Sequence, residues 1–91
     1  MSAKKKIENE TALKNALNIL KQVSESSSTP RNIRKTLKEV TDMLTDTSAS
    51  IGIRAANAIS MLDDISQDPN MPSFARVTIW SGVSELENIR E

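Results

Sequence analysis

Ile33, Leu37, Val40 and Leu44 follow one another at steps of four, three and four, an interval that puts all four on one face of an α-helix. The same interval governs the rest of the chain. Leu13, Ala16, Leu17, Leu20 and Val23 form one stripe, with Ile7 off it. Ile51, Ala55, Ala58, Ile59, Leu62 and Ile65 form another, and Ala75, Ile79, Gly82, Val83, Leu86 and Ile89 a fourth. Turn and breaker residues separate the stripes at Ser24 to Pro30, at Thr45 to Ser48 and at Gln67 to Pro72. No stretch alternates over a strand length.

Four amphipathic helices on short connections make antiparallel neighbours, so the predicted fold is all-α, an up-and-down four-helix bundle. The 91 residues suffice for one domain, 1–91, with residues 1–6 expected as a loose basic N-terminus. Helical order should begin softly between Lys5 and Glu10. Thr29 is the expected N-cap of the second helix, with Pro30 at its first position. The third helix is expected to open at Thr47 or Ser48, and the fourth at Pro72. Gly52 should weaken its helix unless a neighbour approaches closely there. The small residues Ala55, Ala58, Ala75 and Gly82 predict closest packing between helices three and four.

Composition excludes much chemistry. With no Cys and no His, disulfides, thiolate chemistry, the Ser-His triad and most zinc sites are ruled out. No GxSxG, SxxK or Gly-rich phosphate loop occurs. The apolar runs are far too short for a membrane span. Lys4–Lys6 is followed by Glu and Asn rather than by a signal-peptide core, so the cytoplasm is the expected compartment and no membrane role is expected.

Several segments are distinctive: Pro30-Arg31-Asn32-Ile33-Arg34, the run Arg54-Ala-Ala-Asn-Ala-Ile-Ser with Leu62-Asp63 and Ile65-Ser66, and Asp68-Pro69-Asn70-Met71-Pro72 with Ala75-Arg76. In these residues the chain resembles a small archaeal family of uncharacterised proteins, over about two-thirds of its length and from about Glu10 onward. The resemblance implies a compact four-helix bundle, with the mirror, bromodomain-like variant of the topology as an option. It implies no activity, cofactor or site.

The remaining candidates are weighed on their residues. Asp63, Asp64 and Asp68 are close in sequence, but their spacing is not a calcium loop, and no metal, cofactor or catalytic residue is assigned. The zero net charge hides an asymmetry: residues 1–40 carry nine Lys/Arg and four Glu, whereas residues 41–91 carry three Arg and eight acids. Arg31, Arg34, Lys35 and Lys38 form a stripe roughly opposite the apolar face of helix two, able in principle to track phosphates. No aromatic residue is interleaved with them for base stacking. Trp80 sits beside the Ile79/Val83 stripe and, with Met61, Met71 and Phe74, could extend an apolar patch at the turn between helices three and four. Asn57 and Arg54 share a polar stripe with Asp64, and Asn57 is expected to bond a neighbouring backbone.

The helix ends break a local rule, because bases sit early and acids late, against the macrodipole. Arg31, Arg34 and Arg76 should share one end of the bundle with Asp63, Asp64 and Asp68. The expected resolution is inter-helix ion pairing, with Arg76 to Asp63 or Asp64 as the leading contact. The functional expectation is a non-enzymatic protein–protein interaction or self-association module, with a homodimer anticipated. The alternative is an accessory protein that binds nucleic acid through the basic face of helix two. The candidate residues for contact or inter-helix bonding are Arg31, Arg34, Arg54, Asn57, Asp63, Asp64, Arg76 and Trp80.

Overall fold

A computed structural model describes residues 2–91, and Ser2 sets where its first helix begins. The Ser2 hydroxyl accepts the Lys5 N–H at 3.1 Å and its carbonyl accepts the Lys6 N–H at 3.0 Å. Those bonds satisfy donors that a helix start leaves open. Helix α1 accordingly runs Ala3–Glu25, upstream of the expected start between Lys5 and Glu10, and Lys4–Lys6 lie in its opening turns. Met1 lies outside the described residues.

Helix α2 spans Arg31–Leu44, but Thr29 is not its cap. The Pro30 carbonyl accepts the N–H groups of Ile33 and Arg34 at 3.1 and 3.0 Å. Thr29 instead turns inward, 2% exposed, and donates its hydroxyl to the Val23 carbonyl at 2.8 Å. The last carbonyls of α1 have no intrahelical donor, and the buried one at Val23 claims the hydroxyl that was free to cap α2. Helix α3 spans Ile51–Ser66 and is capped by Ser50 rather than by Thr47 or Ser48. Ser48 is held in a turn, its N–H donating to Asp46 Oδ1 at 3.0 Å. Helix α4 spans Ser73–Glu87 and follows Pro72.

The buried apolar side chains form one core. All four residues of the α2 stripe are fully buried, as are Leu20, Leu62, Ile79 and Leu86. Complete burial of such a side chain contributes about 1.5–3 kcal/mol. In α1 the inward line is Asn9, Ala12, Ala16, Leu20 and Val23, and Leu13 and Leu17 only flank it.

The helices pack in the ring α1–α2–α3–α4–α1, an up-and-down bundle in which α2 and α4 stand diagonally opposed. The α1–α4 pair, not α3–α4, makes the most extensive contact. Its small residues explain why: a Cβ at Gly82 would lie 3.3 Å from Leu20 Cδ2 and 3.6 Å from Ile19 Cγ2. The glycine makes room for α1. At Gly52 the close neighbour is the Glu91 carboxylate, which accepts the Gly52 N–H at the start of α3.

Candidate functional site

No helix has an acid in its first turn or a base in its last. Two of the predicted arginines compensate from a neighbouring helix. Arg76, in the first turn of α4, donates Nε–H to the Ser66 carbonyl at 3.0 Å and Nη2–H to the Asp68 carbonyl at 3.4 Å. Arg54, in the first turn of α3, donates Nη1–H to the Leu44 carbonyl at 2.6 Å, while its Nε is buried without a partner. Ser66 and Leu44 are the final residues of α3 and α2, whose carbonyls carry the negative end of each helix dipole.

The expected ion pairs do not form. Among the described residues the one pair within 4 Å is the exposed Lys38–Asp42, at 3.7 Å within α2. Asp63 and Asp64 are exposed. Asp68 does reach α2, but its Oδ2 accepts from the Asn32 amide at 3.0 Å, and its Oδ1 takes the Asn70 N–H at 2.8 Å. The starts of α2 and α4 do meet the end of α3 at one end of the bundle. Backbone carbonyls, however, outcompete carboxylates there, because the carbonyls are fixed in place whereas exposed acids keep their water.

At the other end, Asp46 lies beside Arg54. Its carboxyl is held below the usual carboxylate range, first by the Ser48 N–H, then by the Ser48 hydroxyl, with a smaller contribution from the Arg54 charge. Arg54 and Arg76 thus serve opposite ends and form no common cluster. Asn57 is exposed and its side chain makes no hydrogen bond among the described residues, so it does not bridge a backbone.

Sequence reasoning passed over Asn9. It is 1% exposed, and its amide clamps the chain terminus: Nδ2 donates to the Arg90 carbonyl at 2.6 Å and Oδ1 accepts the Arg90 N–H at 3.0 Å. Its position three residues before Ala12 and seven before Ala16 places it on the inward line of α1. That signal is lost once the helix is assumed to start later.

Two outward faces remain. On α2, Arg31, Arg34, Lys35 and Lys38 are exposed along a shallow groove of about 910 Å³ that Ser24 and Thr41 also line. On α4, Phe74, Val77 and Trp80 are 46%, 60% and 54% exposed, an apolar strip on the side away from the core. The predicted patch at the α3–α4 turn is corrected by this: Met71 is buried and Met61 packs against the core, so the strip runs along α4 itself. Between Ser73 and Ser84 the sole charged residue is Arg76, and it is spent on α3. No helix of the described residues is long and apolar enough to cross a membrane.

A sequence model of the uncharacterised protein family UPF0147 matches residues 1–89, which extends the similarity through the N-terminal helix, upstream of Glu10. A UPF0147 protein of Metallosphaera sedula is 49% identical over 84 residues, covering 92% of this chain and 94% of its own. One from Desulfurococcus amylolyticus is 40% identical over 91 residues, the full length of both. Two crystal structures share the fold. The unknown function protein MMP1188 gives a TM-score of 0.84 at 42% identity, over 88% of this chain and 91% of that one. A protein of the same family from Thermoplasma acidophilum gives 0.85 at 26% identity, over 91% and 98%.

Proposed function

The chain belongs to UPF0147, an uncharacterised protein family, and we propose that it acts as a cytoplasmic, non-enzymatic interaction module that self-associates through the outer face of α4. The observation that carries this reading is the exposed strip Phe74, Val77 and Trp80, which has no exposed charge beside it until Glu87 at the end of α4. Isolated exposed apolar residues need no explanation. Three in a row, uncharged, on a chain with 26% charged residues, mark a contact surface.

A second copy fits this face for a geometric reason. A two-fold interface is isologous, so one patch must complement itself. Phe74 and Trp80 each lie three residues from Val77. Antiparallel pairing of two α4 helices about an axis at Val77 therefore sets Phe74 of one protomer across from Trp80 of its partner, twice. Aromatic pairs add about 0.5–1.5 kcal/mol each beyond burial. Three side chains fall short of the roughly 800 Å² per partner of a standard interface, so the dimer is a weak one.

Trp80 is the single tryptophan and reports directly on the contact. Sedimentation across concentrations up to about millimolar should show a shift from monomer to dimer, with a blue shift of Trp emission over the same range. Trp80→Glu should abolish it. A species of 10.0 kDa at every concentration would overturn the reading.

A further inference from the structure

We propose that the outward face of α2 binds the phosphodiester backbone of a nucleic acid, with Arg34 at the centre of the contact. A break in a pattern isolates this residue. Helices α2, α3 and α4 each carry arginine at their fourth position: Arg34, Arg54 and Arg76. Arg54 and Arg76 each bond a carbonyl ten residues upstream, at the end of the preceding helix. The equivalent carbonyl for Arg34 belongs to Ser24, and Arg34 makes no bond to it among the described residues; the end of α1 is held instead by Thr29 and the Ser26 N–H, both on the Val23 carbonyl. Arg34 is left exposed and its guanidinium has no acceptor among the described residues.

Its neighbours make the released cation into a surface. Arg31, Arg34, Lys35 and Lys38 occupy steps of three, one and three, one stripe that rises about 10 Å along the helix. That length matches about three phosphates of one strand at 3.4 Å apiece. Ser24 and Thr41 line the same groove, their hydroxyls donating to the Lys21 and Lys38 carbonyls at 2.9 Å each, so the four cations supply the donors to phosphate. Asp42 closes the far end of the stripe through its pairing with Lys38, an exposed pair that a phosphate can replace. The net charge of the chain is zero, so the attraction is local to this face.

The composition of the stripe favours nucleic acid over an acidic protein. Protein interfaces are depleted of lysine and anchored by aromatic side chains, and this face has two lysines and no aromatic residue. The same lack of aromatics predicts binding without sequence preference, since no base can stack. RNA and DNA present the same ligand here, the phosphodiester. The inference is independent of self-association, because α2 lies diagonally across the bundle from α4.

The test is fluorescence anisotropy with labelled oligo(U) RNA, oligo(dT) and a DNA duplex, each of about 20 nucleotides or base pairs, titrated with the full chain from about 25 to 200 mM salt. Binding that weakens linearly on a log–log salt plot is expected, and the tightest of the three probes names the source. The double variant Arg31→Gln/Arg34→Gln should lose at least about tenfold in affinity at low salt and lower the slope by roughly 1.4–1.8, two contacts' worth. Lys35→Gln/Lys38→Gln should act in the same direction. Lys14→Gln, an exposed charge on α1, should change affinity less than about twofold. The proposal fails if the wild-type protein binds none of the three probes at low salt. It fails equally if the double variants bind as the wild type does, which would move the contact to Lys4–Lys6. Displacement of the RNA by poly-glutamate at lower concentration than by heparin would assign the face to an acidic protein and also overturn it.

Discussion

Removal of the Arg76 guanidinium tests whether carbonyls or carboxylates hold the helix ends. The Nε–H bond to Ser66 at 3.0 Å is a well-formed charged hydrogen bond, and the Nη2–H bond to Asp68 at 3.4 Å is long. A hydrogen bond to a charged group contributes about 1.5–3 kcal/mol, and a base at a helix C-terminus about 0.3–1 kcal/mol more. Arg76 is half-exposed and the freed carbonyls can recruit water, so the lower part of the hydrogen-bond range applies and the screened dipole adds little to it. Arg76→Ala should therefore cost about 1.5–2.5 kcal/mol. Urea denaturation is the suitable assay, because urea leaves charges unscreened. At a slope of about 1 kcal/mol/M for so small a domain, the midpoint should fall by about 1.5–2.5 M. Arg76→Lys, which keeps the charge and loses the fork, should recover less than half of this. Asp63→Asn and Asp64→Asn should each stay within about 0.5 kcal/mol, as for exposed surface changes. If either aspartate variant cost as much as Arg76→Ala, the ionic account would be restored and the carbonyl account refuted.

Asn9→Ala should destabilise by about 1–3 kcal/mol, through loss of both bonds to Arg90, and should speed amide exchange at the start of α1. Thr29→Val, nearly equal in volume, should cost about 1–2 kcal/mol by leaving the Val23 carbonyl without its hydroxyl donor, and Thr29→Ser should restore most of it in the same urea melt. The lowered carboxyl of Asp46 gives a pH signature. A depressed acid stabilises the fold above its unfolded value near 4 and loses that contribution as pH falls through its folded value. Asp46→Asn should therefore flatten the acid limb of the stability profile below about pH 4, and an unchanged limb would contradict the role of Ser48.

Periodicity made the α2 stripe and the inner face of α4 readable, because burial of one face is what the three-four interval encodes. It served less well in α1, where Leu13 and Leu17 flank the buried line, and Ala12 and Asn9 belong to it. Small residues there admit α4, and smallness carries no signature in a hydropathy pattern. At the helix ends, the reversed charge order is visible in the sequence, but of Arg31, Arg34 and Arg76 only Arg76 reaches a neighbouring helix end, and Arg54 does so in addition. Their acceptors were not visible, since main-chain carbonyls are written at every position and only tertiary placement selects Leu44 and Ser66. Thr29 followed the same course, its hydroxyl taken by a carbonyl upstream instead of an amide downstream.

The ties between helices also set an order in time. Thr29, Arg54 and Arg76 reach back 6, 10 and 10 residues, so each helix end is sealed soon after it emerges from a ribosome. At about 5–20 residues per second, ten residues take on the order of a second. The Asn9 clamp spans 81 residues and waits for the last turn of the chain. Before α4 packs, α1 presents to solvent the face that α4 will cover, with Ile19 and Leu20 on it. A nascent chain of this protein thus passes through a stage in which three helices are pinned in sequence and one seam stands open.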